Sequence, residues 1–216
     1  GKYKCKSTGR YFDVKTGTPL ANTKLPMTKW LLAIFLFQAD KGGISSCQLA
    51  RKLEITQKTA WYMLMKIREL VAKSNANNPK LSGEVEIDET FIGGKNKNRH
   101  KDKKVEKCQG RSYKDKVPVF GMLERGGKVV AKVVPNIHGD TLLSIVNEHV
   151  EKGSVVYTDG AGYPGINIDY EQRDVDHSKH FYGTTYVTDE GEIIVVSTNG
   201  IENVWSHFDR MMLGTY

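Results

Sequence analysis

Apolar residues recur at helical spacing through the first third of the chain and predict three helices. Thr28 is expected to cap the first helix, and Ser45 or Ser46 the second, because a hydroxyl placed before the first turn accepts an otherwise unpaired backbone N–H. Thr56 is expected to cap the third helix, over Gln57–Ala72, whose apolar residues fall on one face. Helices of this length and spacing indicate a small helical domain.

From Leu81 onward the period of the pattern changes. Glu84–Ile92 alternates apolar and polar residues, which is the period of a strand with one buried face. Two further strands meet at Arg125-Gly126-Gly127, a sequence typical of a hairpin turn. The predicted elements are strands at Glu84–Ile92, Pro118–Glu124 and Lys128–Pro135, a helix over Thr141–Val150 capped by Asp140, strands at Ser154–Thr158 and within Asp169–His177, and an amphipathic helix from Ile201 to Met212.

This order of elements indicates a fold class. An antiparallel meander followed by crossover units makes a mixed sheet with helices packed on it. We therefore predict an α/β chain of the α+β type, whose core, residues 81–216, has the strand order of the ribonuclease-H-like fold. Residues 25–73 form a helix-turn-helix domain before it, residues 1–24 are a short basic segment, and Asn75–Pro79 is a linker.

The composition is that of a globular protein with a sizeable core, at 39% hydrophobic and 26% charged residues. No apolar run approaches the roughly 20 residues that cross a bilayer, and no signal peptide is visible. The sequence therefore predicts a cytoplasmic protein with no membrane partner, and its three widely spaced cysteines predict free thiols. Because the chain starts at Gly1 and stops at Tyr216 within a predicted segment, we expect a fragment.

Positive charge is concentrated in residues 95–116, which we call the basic segment. It holds ten Lys and Arg residues against three acids, and the difference, +7, equals the net charge of the whole chain. Such a block favours a polyanionic partner, although a solvated loop explains the same composition equally well. The basic residues are Lys95, Lys97, Arg99, Lys101, Lys103, Lys104, Lys107, Arg111, Lys114 and Lys116.

The polar face of the strand predicted at 84–92 carries Glu84, Glu86 and Asp88 in succession. Alternate strand residues lie roughly 7 Å apart, so three like charges there gain nothing from one another. Either the face is solvated or a positive charge belongs beside it. A divalent cation on that face, at Asp88, is the explanation that the neighbouring sequence supports.

Asp88 is one of three acids placed where a sheet of this order gathers its functional groups. Asp159 directly follows a short apolar strand, at the carboxyl end where open sheets bind ligands, and Glu202 falls in the first turn of the last helix. Carboxylates gathered in this way suit Mg²⁺ or Mn²⁺. Two such ions activate a water or a 3′-hydroxyl for attack on a phosphodiester.

Each acid also has a structural interpretation. Asp88 fits a solvated strand face, and Asp159 with Gly160 fits a turn. Glu202 fits a capping box in which Asn199 is the N-cap and the Glu202 carboxylate bonds back to its amide. Local sequence favours the structural interpretation for Asp88 and Glu202 and leaves Asp159 balanced, whereas the combination of all three on this fold favours function.

Ser46–Leu70 has the pattern of a helix-turn-helix. In that motif the first turn of the second helix meets the base edges of DNA, and glutamine and lysine are side chains that read bases or hold phosphate. An ordinary helical hairpin has the same pattern, but the basic chain and the nuclease-like core favour DNA. The predicted DNA-contacting residues of this helix are Gln57, Lys58, Thr59, Tyr62 and Lys66.

Five stretches stand out in this order: VEIDETFIGGK, GRSYKDKVPVFGMLERGGKVVAKVV, GSVVYTDGAGY, VDHSK and TNGIENVWSHFDRMMLGTY. They resemble successive blocks of bacterial insertion-sequence transposases, in particular the ISXO-like group of the DDE superfamily. The resemblance covers nearly the whole chain, and IDETFIGGK and TNGIENVWS are its most specific parts. It implies a ribonuclease-H-like core that cuts element ends and joins them to target DNA with Mg²⁺ or Mn²⁺.

The resemblance assigns the catalytic and metal-binding triad to Asp88, Asp159 and Glu202, separated by 70 and 42 residues. It places His177 in an HS motif before the third acid, where the histidine contacts the scissile phosphate, orients an acid, or is a plain hydrogen-bonded histidine. Relatives that use Asn in place of the third acid leave Asn199 as a minor rival to Glu202.

Two features depart from the group. A lysine usually stands seven residues after the third acid, where this chain has Asp209, so Arg210 is the nearest substitute for a phosphate contact. The group also carries an amino-terminal zinc ribbon. YKCKSTGRYF is similar to its second half, but Thr8 replaces the second cysteine of the C-x-x-C. A structural zinc needs four ligands, so no zinc is expected in this chain.

Together these features predict a DNA transposase of the bacterial cytoplasm, associated with the nucleoid and working as a homo-oligomer on double-stranded DNA. Its DNA partners are the terminal inverted repeats of the element and the target. The alternatives are a catalytically decayed helix-turn-helix DNA-binding protein and a ribonuclease-H-like nuclease that does not transpose. Outside the helix-turn-helix, the predicted DNA-contacting residues are Lys95, Lys97, Arg99, Lys103, Lys104, Arg111 and Arg210.

Overall fold

The computed structural model describes residues 1–40, 42–75, 79–94, 96–106, 114–159, 163–175, 184–187 and 193–215. The chain divides into two compact units. The first unit comprises Gly1–Asn78 and His207–Tyr216, and the second comprises Pro79–Ser206. No helix in the described ranges is long and apolar enough to span a membrane.

The first unit contains three helices and an amino-terminal hairpin. Trp30, Leu49 and Met63, one from each helix, lie in its core and are almost fully buried. These are residues that the helical spacing of the sequence places on the inner faces. The elements are strands β1 (Tyr3–Lys4) and β2 (Tyr11–Phe12) and helices α1 (Met27–Ala39), α2 (Ser46–Leu53) and α3 (Gln57–Asn75).

The helix starts agree with the sequence prediction at two of three positions. Ser45 caps α2, where its hydroxyl accepts a backbone N–H at 3.1 Å, and the Thr56 hydroxyl accepts one at 3.2 Å at the start of α3. The predicted cap at Thr28 is wrong, because α1 already begins at Met27. Pro26 occupies the N-cap position instead, and its ring fixes the backbone angle at which the chain enters the helix.

The turn between α2 and α3 is short and closed. Glu54 ends α2 with a left-handed backbone, φ 52°, and the Ile55 N–H donates to the Ala50 carbonyl at 3.1 Å. From α1, the Lys29 Nζ donates to the Leu53 carbonyl at 2.8 Å. Two helices joined by a tight turn, with a third helix packed against them, are the arrangement that a helix-turn-helix requires.

A five-stranded mixed sheet forms the centre of the second unit. Its strands are β3 (Glu84–Ile92), β4 (Val117–Glu124), β5 (Val129–Val133), β6 (Val155–Thr158) and β7 (Glu171–Asp174). Their spatial order is β5-β4-β3-β6-β7. The β3–β4 and β4–β5 pairs are antiparallel, and the β3–β6 and β6–β7 pairs are parallel. The predicted mixed sheet of the α+β class is confirmed.

Helix α4 (Gly139–His149) belongs to the second unit, and helix α5 (Asn199–Thr215) begins in it, while the residues of α5 from His207 onward are assigned to the first unit. Leu142 and Val146 of α4 share a buried apolar cluster with Ile87 of β3. The predicted cap at Asp140 is wrong, because α4 begins at Gly139 and the N-cap position falls on His138. Asp140 instead lies in the first turn, where a negative charge interacts favourably with the helix dipole.

The sequence pattern failed to mark one hairpin. Strands β8 (Thr184–Val187) and β9 (Ile193–Val196) pair antiparallel in a separate two-stranded sheet. Each is four residues long, too short for its period to distinguish strand from helix. The weakly marked strand within 169–177 is β7, a polar strand at the sheet edge, where a buried apolar face is not required.

Candidate active site

Two neighbouring parallel strands of the mixed sheet, β3 and β6, position Asp88 and Asp159. Asp88 is in β3, and Asp159 directly follows β6, whose last three residues are buried. Glu86 pairs with Tyr157, and Asp88 and Asp159 each follow two residues after this pair, where the charge of Asp159 acts on the Asp88 carboxyl group. Neighbouring strands are about 4.8 Å apart. The structure therefore brings these two predicted site residues together.

The Asp88 carboxyl group resists ionisation. Its burial is the largest cause and raises its pKa to about 7, and the negative charges of Asp159 and Glu89 act in the same direction. Hydrogen bonds from the Glu89 backbone N–H and the Trp205 indole oppose this rise without cancelling it. A bound cation next to the two aspartates would favour the charged form of Asp88.

Glu202 lies in the first turn of α5 with an exposed side chain. The Thr198 hydroxyl donates to its Oε1 at 3.4 Å. The predicted cap at Asn199 is wrong, because α5 begins at Asn199 and the N-cap position falls on Thr198. Within the described ranges, no three His, Cys, Asp or Glu side chains lie close enough together to hold a metal ion. Glu202 therefore does not join Asp88 and Asp159 in a three-residue cluster.

Trp205 contacts Asp88 from α5, one helical turn after Glu202. Its indole Nε1 donates to Asp88 Oδ2 at 3.0 Å. The ring fits there because Gly121, which pairs with Asp88 across β3 and β4, has no side chain. A Cβ at Gly121 would lie 2.4 Å from Trp205 Cζ2. The sequence identifies Trp205 only as part of the apolar face of an amphipathic helix.

Tyr163 links the segment after Asp159 to β3 by a hydrogen bond to Glu89. Its hydroxyl donates to Glu89 Oε1 at 2.6 Å, and its ring is buried beside Phe120. Burial, together with the charges of Glu89, Asp159 and Asp88, raises the pKa of Tyr163, so the hydroxyl remains a donor. This bond fixes the chain four residues after Asp159. The sequence gives no sign of this role beyond an aromatic residue after a turn.

The acids that precede Asp88 in β3 have protein partners. The almost fully buried Glu86 accepts the Ile201 backbone N–H at 2.9 Å and the Arg125 Nε at 2.9 Å. Glu84 accepts Arg125 Nη1 at 3.0 Å. The positive charge expected beside this face is, for Glu84 and Glu86, the guanidinium of Arg125, and the helix N-terminus at Ile201 adds to it at Glu86.

Arg125 connects the acids of β3 to several other elements. Its guanidinium carbon lies 3.8 Å from the centre of the Tyr157 ring. Its Nη1 and Nη2 donate to the carbonyls of Val195 and Ser197 at 3.0 and 2.8 Å. One side chain thus links the β4–β5 turn to β6 and to the segment that leads into α5. The acidic face of β3, which needs a nearby cation, is the sequence signal that points to Arg125.

The predicted DNA-contacting residues of α3 differ in exposure and in local bonding. Lys58 and Tyr62 are exposed, and Trp61 between them in the helix exposes 52% of its surface. This gives the start of α3 a positive charge beside two aromatic rings. Both are groups that interact with nucleic acid, the charge with phosphate and the rings with bases.

The other three residues of the α3 prediction are bonded within the helical unit. The Gln57 amide donates to the Ser46 hydroxyl at 2.8 Å, and the Thr59 hydroxyl is 2.8 Å from that of the N-cap threonine. Lys66 Nζ forms an ion pair with Glu69 at 2.8 Å. Gln57, Thr59 and Lys66 therefore contribute to the local structure of the motif.

The described part of the basic segment forms a closed loop. The Asn96 side chain bonds both the N–H and the carbonyl of Val105, at 3.1 and 2.8 Å. The half-buried Arg99 donates to the Asp115 carbonyl at 3.2 Å, which gives it a structural contact. The exposed lysines of this part are Lys97, Lys101, Lys103, Lys104 and Lys114, and Arg210 is exposed in α5. Lys95, Arg111 and His177 lie outside the described residues.

Comparison with known proteins relates the chain to one family. A sequence profile of the ISXO2-like transposase domain matches residues 80–216, which is more than half of the chain. An uncharacterized protein in the transposable element ISH50 of Halobacterium salinarum is 28% identical over 169 residues, covering 74% of this chain and 55% of that protein. An uncharacterized transposase-like protein of Haemophilus influenzae is 36% identical over 86 residues, covering 38% of this chain and 61% of that protein. The chain therefore spans between half and two thirds of the length of these relatives.

Proposed function

Because this chain belongs to the ISXO2-like transposase family, we propose that it is a DNA transposase that cuts the ends of its element and joins them to target DNA. The observation that carries the proposal is the position of Asp88 in β3 and of Asp159 directly after the adjacent parallel strand β6, with the pKa of Asp88 raised to about 7 by burial and by the charge of Asp159. The strand order β5-β4-β3-β6-β7 supports a ribonuclease-H-like core. Proximity of two acids in a partly buried site is typical of catalytic centres.

The paired carboxylates fit a divalent cation in their chemistry. Both supply hard oxygen ligands, which Mg²⁺ and Mn²⁺ prefer. The two carboxylates repel each other, so a cation bound between them would be stabilising. Mg²⁺ typically takes only one or two protein carboxylates and fills its other positions with water and substrate oxygens. When bound, the ion lowers the pKa of a water and stabilises the charge on phosphate oxygens.

Asp88, Asp159 and Glu202 have different roles in the proposed reaction. Asp88 and Asp159 would hold the cation, and Glu202, exposed at the start of α5, would be the third acid that completes the site on DNA. In the first step a water oxygen attacks the phosphorus, and the bond to the 3′ oxygen breaks to leave a free 3′-hydroxyl. In the second step that hydroxyl attacks a target phosphodiester, which releases a 3′-hydroxyl of the target strand.

DNA recognition and DNA cutting belong to different parts of the chain in this proposal. Lys58, Tyr62 and the adjacent Trp61 of α3 bind the terminal inverted repeats, since the start of the second helix enters the groove in this motif. The exposed lysines of the basic segment contact phosphates. Two element ends are brought together by a homo-oligomer on double-stranded DNA of the bacterial nucleoid.

A catalytically decayed DNA-binding protein is the second candidate. Two observations favour it: Asp209 stands where the family usually has a lysine, and Glu202 does not join the aspartate pair within the described residues. The aspartates themselves oppose it, because a decayed site has no reason to keep two repelling acids. A nuclease that does not transpose shares the same site and differs only in lacking strand transfer.

Nicking of a plasmid that carries the DNA flanking the gene tests the proposal. With Mn²⁺, the unmodified chain is expected to nick this plasmid, and Asp159→Asn is expected to abolish nicking while a gel shift shows equal DNA binding. Asp169→Asn is the matched control, because Asp169 pairs with Lys152 away from the site. If the unmodified chain binds DNA but does not nick it, the result favours the decayed DNA-binding protein. If it nicks DNA but forms no joined products, the result favours the nuclease that does not transpose.

A further inference from the structure

Trp205 holds a position that a purely apolar core residue does not need. The side chain is buried, with 7% of its surface exposed, and its single polar atom points to the Asp88 carboxylate at 3.0 Å. A phenylalanine would fill most of the same space without that bond. The indole therefore supplies one specific thing beyond packing, an N–H directed at Oδ2 of Asp88.

The surroundings of Trp205 are built to admit its ring. Phe120 and Met122, on either side of Gly121 in β4, are fully buried. Gly121 itself leaves space on the opposite face of the strand, where a Cβ would lie 2.4 Å from Trp205 Cζ2 and 3.1 Å from Ile201 Cδ1. Strand β4 thus has a glycine at the position paired with Asp88. Side chains from the first turns of α5 occupy the space that this glycine leaves.

We propose that Trp205 is a positioning residue for Asp88, and that its indole N–H fixes the direction in which the carboxylate presents its oxygens to a divalent cation. The terminal torsion of an aspartate is broad and has no strong intrinsic preference. A hydrogen bond to Oδ2 selects one orientation, and with it the direction of Oδ1. The same bond ties α5, which carries Glu202, to β3 at the level of the aspartate pair.

This role rests on the proposed function, since it concerns the residue that would bind the metal. Groups that hydrogen-bond a metal ligand orient it, and their loss typically weakens metal binding about tenfold or more. The effect should therefore appear in metal affinity itself, before any DNA is present. A role limited to packing would change stability and leave metal affinity as it is.

Trp205→Phe tests this role, with Trp30→Phe as the matched control. Trp30 is also buried, with 1% of its surface exposed, and its indole donates to the Thr23 hydroxyl at 2.9 Å in the other unit. Both substitutions remove one indole hydrogen bond. Mn²⁺ affinity, followed through the free-ion electron paramagnetic resonance signal of the full chain, is expected to fall about tenfold in Trp205→Phe and to stay unchanged in Trp30→Phe.

A second measurement needs no substitution at Trp205. The chain has three tryptophans, so ¹⁵N-labelled protein gives three indole N–H signals, which Trp30→Phe and Trp61→Phe assign. On titration with Mg²⁺, the Trp205 signal is expected to shift while those of Trp30 and Trp61 stay in place, and Asp159→Asn should remove that shift.

Three outcomes decide the matter. Tenfold weaker Mn²⁺ binding in Trp205→Phe, together with a Trp205 shift with Mg²⁺ in the unmodified chain, supports the positioning role. Unchanged Mn²⁺ affinity in a folded Trp205→Phe, or a Trp205 signal that ignores Mg²⁺ while Asp159→Asn lowers metal affinity, overturns the role and leaves the proposed function standing. Equal metal affinity in the unmodified chain and in Asp159→Asn overturns the metal site itself, and Trp205 loses this role with it.

Discussion

Ionisation of the Asp88 carboxyl group is unfavourable in the metal-free folded protein. An ionised carboxylate in its surroundings lacks water and lies beside two other acids, which is why its pKa is raised to about 7. The folded protein binds a proton at Asp88 more tightly than the unfolded chain does. Its contribution to stability is therefore complete below about pH 4, the usual range of an aspartate, and is lost as the pH rises to about 7.

Asp88→Asn should accordingly stabilise the metal-free protein at neutral and higher pH. The gain in unfolding free energy over the unmodified chain is expected to grow between about pH 4 and pH 7 and then level off, at no more than about 4 kcal/mol. Urea denaturation at pH 4.5, 6 and 8 in the presence of a chelator measures it. Asp102→Asn, which removes an exposed acid, serves as the control.

Two results would contradict this account. One is a stability difference between Asp88→Asn and the unmodified chain that stays constant across the pH series. The other is the same pH dependence in Asp102→Asn. Added Mg²⁺ should narrow the difference at pH 8, because a ligand that binds only the folded state stabilises it and the Asn variant offers a weaker site.

At the scale of elements, the amino end of α5 is held by a charged cluster formed by Arg125, Glu84 and Glu86. Glu86 meets the helix backbone at Ile201, and Gly200 leaves room for it, since a Cβ there would lie 2.7 Å from Glu86 Oε2. Arg125 then neutralises Glu86. The start of α5, and with it Glu202, is therefore set by β3 and by the β4–β5 turn.

Arg125→Met should destabilise the protein by about 3 kcal/mol, because it leaves the buried Glu86 without its cation. Lys132→Met is the control, since it breaks the Lys132–Glu148 pair, whose side chains are 37% and 62% exposed. Pairs of that kind contribute at most about 1 kcal/mol. Chemical denaturation of both variants measures the difference, and equal losses would show that the cluster is no more important than a surface ion pair.

Most elements of the second unit are predictable because their period is long enough to read. The strand predicted at Glu84–Ile92 has the same bounds in the structure, and β4 and α4 differ by one or two residues at their ends. The β8–β9 hairpin is not predicted, because strands of four residues are too short to show the alternation of apolar and polar residues. Helix starts fail where a capping residue lies inside the first turn, as Thr28 and Asp140 do.

The sequence predicts the acids of the candidate site but not the residues that position them. The proximity of Asp88 and Asp159 follows from strand position, because Asp88 lies in β3 and Asp159 directly follows β6, two residues beyond the Glu86–Tyr157 pair of these parallel strands. The role of Trp205 does not follow, because a tryptophan in an apolar stripe already has a sufficient local explanation, and the acidic face of β3 indicates that a cation is needed without identifying Arg125 in the hairpin turn as its source. Their contacts with Asp88 and Glu86 join residues 117 and 39 positions apart in sequence.

At the scale of the whole molecule, the net charge of +7 and the charge of the basic segment are equal. In the described part of that segment the lysines are exposed, while Arg99 is bonded to the backbone of Asp115. Phosphate contacts should therefore come from the lysines, and their contribution should depend strongly on salt, since binding releases counterions from DNA.

Replacing Lys103 and Lys104 together by Gln should reduce the salt dependence of DNA binding. The slope of log affinity against log salt is expected to fall by about 2, because each phosphate contact contributes about 0.9. Lys128→Gln with Lys152→Gln removes the same charge from elsewhere in the second unit and should leave the slope unchanged. Fluorescence anisotropy with duplex DNA at several salt concentrations makes the comparison, and equal slopes in both double variants would reduce the segment to a solvated loop.

The absence of a side chain at Gly121 gives genes of this family a way to lose function that their acidic residues do not reveal. A copy in which this glycine has become alanine would keep every acid of the site and the same overall charge, yet its methyl group would claim the space of the Trp205 ring. A survey that counts only acids would score that copy as intact. A single methyl group that takes no part in the reaction could thus inactivate the transposase, although the sequence motifs of the element would still be recognised in the genome.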